Sequence, residues 1–491
     1  MSITDPRTAG AIARDAHGNP LAAPPAAVEL YDRVVDRLVR FDPQVVDLAG
    51  ELVTEHPDVP MSQVVLAYLC LMSTDVGDLD VARGAVQAAS AMPLTHRERA
   101  HVDALTAWAR GDWHRAQSRL DDLLVEWPTD VLALLLGHAL DFFLGDRTNL
   151  RDRVGRSLSA LEGHDHHGFA LGMQSFGLEE SGTYDAALDA GLAAIDAHPE
   201  DVWAIHAVAH VHEMRGDVDR GLRMMSEQRD GWAGDNLFAV HLWWHEALFL
   251  LEAARTDDVL AIYDARIHNA SSGPAALELL DASALLWRLR LRGVDCGDRF
   301  DALASAWRAR PGAGDPWYVF NDVHEVMALA GAGRLDEAHR CLDAMADSIA
   351  DGAGPTNRAV TAEVGLPVAR ALVASAEGRP DDVVADLWPV RPVLHHFGGS
   401  HAQRDVVQQT LLDAAIASGQ HARADALLRE RLALRPSSTF GWSRRARLAA
   451  AAGDEATDAV ARRTEQETAA RFAAVEAVTA DAGTAPGLDP R

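Results

Sequence analysis

Lysine is missing from this sequence: all 45 basic residues among the 491 are arginine. Its absence excludes a Schiff-base lysine for pyridoxal phosphate, a phosphate-loop lysine and a lysine general base. Cysteine is nearly missing too. Cys70, Cys296 and Cys341 are too few for a disulfide framework and lack metal-site spacing, which fits a reducing cytoplasm. No run of 18 or more apolar residues occurs, so no membrane span is expected. The opening MSITDPRTAG has no basic stretch leading into an apolar core, so no secretory signal is expected and the chain reads as cytoplasmic. Net positive charge is absent as well. At −28 the surface repels nucleic acid and anionic lipid, and neither is an expected partner. A G-x-S-x-G nucleophile elbow is absent, because GMQSFG around Ser175 has the wrong spacing. So is a dinucleotide-binding G-x-G-x-x-G after a strand; the glycines near Gly312 and Gly314 mark a turn.

What is present is helix-forming sequence with a period. The hydrophobic fraction is 48%, ordinary for a folded chain, and alanine is abundant. Gly77, Gly111 and Gly145 are 34 residues apart, as are Gly182 and Gly216, and Gly419 and Gly453. Thirty-four residues is the tetratricopeptide period. A proline follows the turn glycine by 17 residues in three repeats, at Pro128, Pro199 and Pro436. In HVDALTAWARGDWHRAQSRLDDLLVEWP, helix A runs to Arg110, Gly-Asp makes the turn, and helix B carries Ala116, Leu120 and Leu124 at helical spacing. Further turns near Ala254, Gly293, Gly333 and Gly378 are spaced more loosely. The expected architecture is all-α: a tetratricopeptide-like α-solenoid, or superhelix, of about ten helix pairs over 26–473. Residues 1–25 and 474–491, polar and rich in Pro and Gly, are expected to be disordered extensions.

In such arrays stacked pairs share one core and the A helices line the concave side. Polar residues on A helices therefore stand out. DVWAIHAVAHVHEMRGD places His206, His210 and Glu213 at i, i+4 and i+7, on one face. The next A helix, in DNLFAVHLWWHEALFLLE, repeats the i,i+4 pair with His241 and His245 beside Trp244. Later A helices add Asp281, then Asn321, Asp322 and His324, then His401, Gln403, Arg404 and Asp405. An i,i+4 histidine pair can present two ring nitrogens to one cation, and a carboxylate can complete a three-ligand open site, so a divalent metal is one reading. Acid–base chemistry is the other, given histidine's ordinary pKa near ~6.5. HLWWH and HAVAH are not H-E-x-x-H, since Leu242 and Ala207 stand at the second position, so no reaction is named. The plain alternative is histidine that bonds between repeats and does nothing else. GGSHAQRD exposes backbone N–H groups at a helix start with Ser400 as N-cap and Arg404 one turn in, which reads either as a seat for a carboxylate or phosphate or, equally, as an ordinary capped helix with Arg404 paired to an acid. HDHHG, from His164 to Gly168, is a loop cluster at a helix start and reads as structural, with capture of a surface metal as the alternative.

The stretches HAVAHVHEM (206–214), HLWWHEALFLLE (241–252), FNDVHEVMA (320–328), VGLPVARALV (364–373) and GGSHAQRDV (398–406) resemble the tetratricopeptide repeat protein 38 family. The resemblance spans most of the chain. It implies the helical fold and carries over His206, His210, His212, Glu213, His241, Trp244, His245, Asn321, Asp322, His324, Gly398, Gly399, Gln403, Arg404 and Asp405. Where this chain has Glu246, family members can have Trp, which makes Glu246 a poor catalytic choice. The resemblance implies no settled activity.

The expected function is a small-molecule site, catalytic if the cluster does chemistry, within the groove of the superhelix. His206, His210, His241, His245 and His324 act as acid–base groups or metal ligands. Glu213, Asp281, Asp322 and Asp405 orient them. Trp244, Asn321, His401, Gln403 and Arg404 contact the substrate, with Arg404 holding an anion. The competing expectation is a peptide- or protein-binding scaffold without catalysis. Such grooves favour Asn, Lys and Arg spread along several repeats, whereas here histidines, acids and tryptophans concentrate in the middle ones.

Overall fold

Helix accounts for nearly all regular structure, and strand is confined to a two-stranded antiparallel ribbon, β1 (Ile12–Arg14) paired with β2 (Pro20–Ala22). The chain is all-α, as its periodicity implies. The structure, a computed structural model, describes residues 12–351 and 354–473.

Local sequence explains the punctuation. The helix His96–Ala109 opens on a reciprocal Thr95/Glu98 capping box, and the next, Trp113–Glu126, on the Asp112 carboxylate, which accepts from the Arg115 N–H. Between them Gly111 sits at φ +76°, and the other punctuating glycines Gly145, Gly182, Gly216, Gly419 and Gly453 are also left-handed. Gly77 is not. It lies in a short 3-10 turn, and Thr74 takes the left-handed position at φ +57°. Gly145 has the strongest need for glycine: at φ +65°, an added Cβ would fall 1.8 Å from the carbonyl oxygen of His395.

Consecutive helices pack on one another, and most of the buried apolar residues form one core running from Leu21 to Phe472, with Leu150, Phe176 and Ala207 in a small cluster of their own. Distant segments are then stitched together. Asn321 donates to the Thr74 carbonyl at 3.1 Å, the Trp113 N–H to the Thr356 hydroxyl at 3.0 Å, and the Tyr318 hydroxyl to the Phe143 carbonyl at 3.1 Å. Arg435 likewise reaches the Met214 sulfur. These contacts join positions 175 to 247 residues apart, so segments distant in sequence pack against one another.

The reading of residues 1–25 as disordered is corrected from residue 12 onward. Leu21 is fully buried, Arg97 and Asp15 form an ion pair at 3.2 Å, and the Ala22 N–H donates to Glu98 at 2.9 Å. Polar, Pro- and Gly-containing sequence folded here because buried partners on the helix His96–Ala109 await it. Residues 1–11 and 474–491 lie outside the described residues. One helical stretch, Pro355–Ala376, is long and apolar enough to cross a membrane by length and composition (mean hydropathy 1.3), and 50% of it is buried inside the fold. It also carries Arg358, Glu363 and Arg370.

Six helices position the polar residues singled out above: α1 (His167–Glu180), α2 (Val202–Arg215), α3 (Ala239–Glu252), α4 (Ala276–Leu291), α5 (Val319–Gly331) and α6 (His401–Ala417).

Candidate functional site

Asp201 starts α2 by accepting from the Trp203 and Ala204 N–H groups, and left-handed Gly216 ends it. The uninterrupted helix between them puts His206 and His210 one turn apart. Helix α3 packs alongside α2 and presents His241 and His245 in the same way. The two pairs converge. His206 Nε2 and His245 Nε2 each lie 3.2 Å from His241 Nε2. His210 joins the other three to complete a set whose ligand atoms all lie within 4.8 Å of one another.

The ring nitrogens are crowded. His241 Nδ1 is 2.7 Å from Asp281 Oδ2 on α4, so Nδ1–H donates to the carboxylate and Nε2 faces the other imidazoles. Two imidazole nitrogens crowd His241 Nε2, an arrangement that could hold a metal ion. Zinc–nitrogen bonds of about 2.0–2.1 Å put tetrahedral ligands about 3.3–3.4 Å apart, close to the spacing found here. Outer partners are in place as well. Asp281 fixes the tautomer of His241, and Glu213 Oε2 stands 3.3 Å from His245 Nδ1, though out of hydrogen-bond alignment.

The setting is dry and aromatic. Phe176, Trp203 and Phe238 ring His206 at centroid distances of 4.9–5.1 Å, and Trp244 stacks on His241 at 5.2 Å. His241, with 13% side-chain exposure, is the ligand nearest solvent; the side chains of His210 and His245 are sealed. Burial pulls His206 and His245 well below the usual histidine range and His210 down to about 4, so all three rest neutral and ready to donate lone pairs.

Two acids that sequence reasoning passed over border the cluster. Glu179 Oε2, at the end of α1, is 3.5 Å from His210 Nδ1, and neither Glu179 oxygen has a hydrogen-bond partner. Burial, reinforced by the charge of Glu180, pushes its carboxyl well above the ordinary range. Glu179, Glu180 and His210 form a second group able to hold a metal. The signal was two glutamates ending an otherwise apolar helix, HGFALGMQSFGLEE.

The remaining expected residues do other things. The GGSHAQRD seat does bind a carboxylate, but from within: the His401 N–H donates to Glu180 Oε1 at 2.7 Å and Arg404 pairs with Glu180 Oε2 at 3.1 Å. Gln403 completes the Ser400 capping box. His401 and Arg404 thus lock α1 to α6 through Glu180. Asp405 pairs with Arg431 at 2.7 Å and Arg435 at 3.3 Å, away from the imidazoles. Asn321 is spent on Thr74. Asp322, held well above the ordinary carboxylate range by burial, sits on α5 near Asn357. His324 donates from Nδ1 to the Phe320 carbonyl at 2.7 Å, as a core histidine does. The HDHHG loop meets the N-terminal ribbon instead: His166 Nδ1 is 2.9 Å from His17 Nε2, and His166 Nε2 is 3.2 Å from Asp36.

His324 offers a clean pH test because it lies outside the metal set. Burial holds it at about 4, against about 6.5 in the unfolded chain. The unfolded chain therefore takes up the proton first. The contribution is complete above pH 6.5 and is lost as pH falls towards 4, a difference of about 3 kcal/mol. His324→Gln should remove that slope. Urea titrations of both proteins at pH 7 and pH 4.5 check this, and parallel losses in the two would refute it.

A comparison with known protein families finds no family model that matches the chain.

Proposed function

We propose that the protein binds a divalent metal ion of the zinc class through His206, His241 and His245, with His210 beside it, and uses the ion on a small molecule. The convergence of three Nε2 atoms on one point carries the reading. Neutral imidazoles suit zinc and other borderline metals, and three histidines leave a position for water or ligand. A metal so held lowers the pKa of bound water towards ~7 and polarises a ligand oxygen, so hydrolytic chemistry is the reaction class that fits. Around this centre we read the helices as a tetratricopeptide-like superhelix, akin to the tetratricopeptide repeat protein 38 family. The 34-residue turn spacing and the left-handed glycines support that. A cytoplasmic location is proposed with it, on cysteine usage. The peptide-scaffold reading draws less support, because most of the polar residues singled out on those helices are buried.

The test is a competitive zinc titration against a chromogenic chelator. Asp281→Asn keeps the shape of the outer partner and removes its charge, and should weaken zinc binding 10- to 100-fold. Unchanged affinity would count against His241 as a ligand.

A further inference from the structure

A second polar feature lies behind the histidines and belongs to none of the roles above. Arg288, on α4, is 2% exposed. Its Nη1 donates to the Ala284 carbonyl at 3.0 Å and its Nη2 to the Ala402 carbonyl at 2.6 Å. Among the described residues no carboxylate stands within ion-pair distance of it, which is costly for a buried guanidinium. Its only other support is the face of Trp244, 5.3 Å away.

Arg288 lines a cavity of about 30 Å³ with Glu213, Glu252, Arg292, Asp405 and Arg435. A water needs roughly 10–15 Å³ of such space, so the room suits a group of two or three heavy atoms. The charges around it do not balance. Asp405 is taken by Arg431 and Arg435, and Glu252 by Arg292 at 3.2 Å with Arg431 at 3.8 Å. Glu213 turns towards His245. Three arginines and three carboxylates line the cavity; Arg431, behind the lining, adds a fourth cation to Asp405 and Glu252, and Arg288 is the one of the four without an ion pair. Burial draws the guanidinium of Arg288 down to about 10, against the pull of Asp405 and Glu213.

We infer that this cavity is a seat for a monovalent carboxylate, held by Arg288 with Arg435 and Gln409 on its walls. Size selects a carboxylate group. Charge selects a monoanion, because a dianion would leave one negative charge uncompensated beside Asp405 and Glu252. Gly216, Ser437 and Ser438 are also part of the lining. Glu213 borders both this cavity and His245, so the seat adjoins the proposed metal but uses none of its ligands. The assignment does not rest on the metal.

Calorimetric titration of the full chain with acetate, propionate and inorganic phosphate tests it, before and after chelation. Hydrogen–deuterium exchange is followed on the same samples. Both carboxylates should bind, phosphate at least tenfold more weakly, and chelation should leave their affinity within twofold. Exchange should slow in peptides spanning 213–218, 286–292 and 435–438. Arg288→Gln should weaken the carboxylates tenfold or more. Absence of carboxylate binding to the wild-type chain, protection elsewhere, phosphate binding as tightly, or a folded Arg288→Gln variant that binds normally would each overturn the assignment. Should that variant fail to fold, the wild-type exchange map decides. Carboxylate binding that vanishes on chelation would place the anion on the metal and remove it from Arg288. A chain that binds carboxylate but no metal would sink the metal reading alone.

Discussion

Zinc at a thousandfold excess over its dissociation constant should stabilise the chain by about 4 kcal/mol, and alanine at His241 or His245 should abolish that gain. The expectation follows from where the ligands sit. His206 belongs to α2, His241 and His245 to α3, and the outer carboxylate Asp281 to α4. An ion binding all of them needs the three helices docked, and unfolding releases it. His241→Ala is the more informative variant, because the ring is the least buried of the set and its removal leaves the smallest void. His245→Ala adds a cavity cost of a few kcal/mol, seen with and without metal. The two effects separate in thermal melts run in zinc and in chelator. A wild-type melt that ignores zinc would count against the centre, as would an equal zinc response in His241→Ala.

Asp130→Asn should cost about 3–5 kcal/mol and loosen the N-terminal ribbon. Its Oδ2 accepts from Arg97 Nε at 2.7 Å and faces His101 Nε2 at 2.9 Å, while Oδ1 caps the helix Val131–Phe143 through the Ala133 N–H. Arg97 and His101 hold its carboxyl far below the ordinary range. Arg97, 1% exposed, also pairs with Asp15 and donates to the Pro20 carbonyl. Neutralising Asp130 leaves a buried guanidinium half-compensated and weakens the bolt that holds β1 and β2 to the helix His96–Ala109. Urea unfolding should show the loss, and limited proteolysis should show new cleavage within 12–22. Because the native pKa is depressed, the wild-type contribution is complete above about pH 4 and is lost only as pH falls further. A variant as stable as wild type, with an uncut ribbon, would refute this network.

Helix pairs and the histidine convergence were legible because both follow from local rules. Turn glycines mark helix ends, and an i,i+4 spacing fixes a shared face whatever surrounds it. Thr74 standing in for Gly77 was not legible, since the strained position is set by how that turn meets Pro311 and Asn321. Neither was the lock on the GGSHAQRD seat. The structure has the plainer alternative, a capped helix with Arg404 paired to an acid, and that acid, Glu180, lies 221 residues before His401. His324 was grouped with the other histidines by residue type, and its bond to Phe320 is a local backbone contact that composition does not reveal. Arg288 had a faint signal: WRLRLR interrupts an apolar A helix with three arginines, and Arg288 and Arg292 share a face with Asp281. Its want of a partner depends on helices that meet only in the folded chain.

X-ray absorption at the metal edge of the zinc-loaded protein addresses the central claim most directly. One ion per chain, with at least three imidazole nitrogens in its shell at about 2.0–2.1 Å and one of them lost in His241→Ala, is the predicted result. A shell of oxygen alone, a spectrum unchanged in that variant, or protein that retains no zinc after desalting would contradict it.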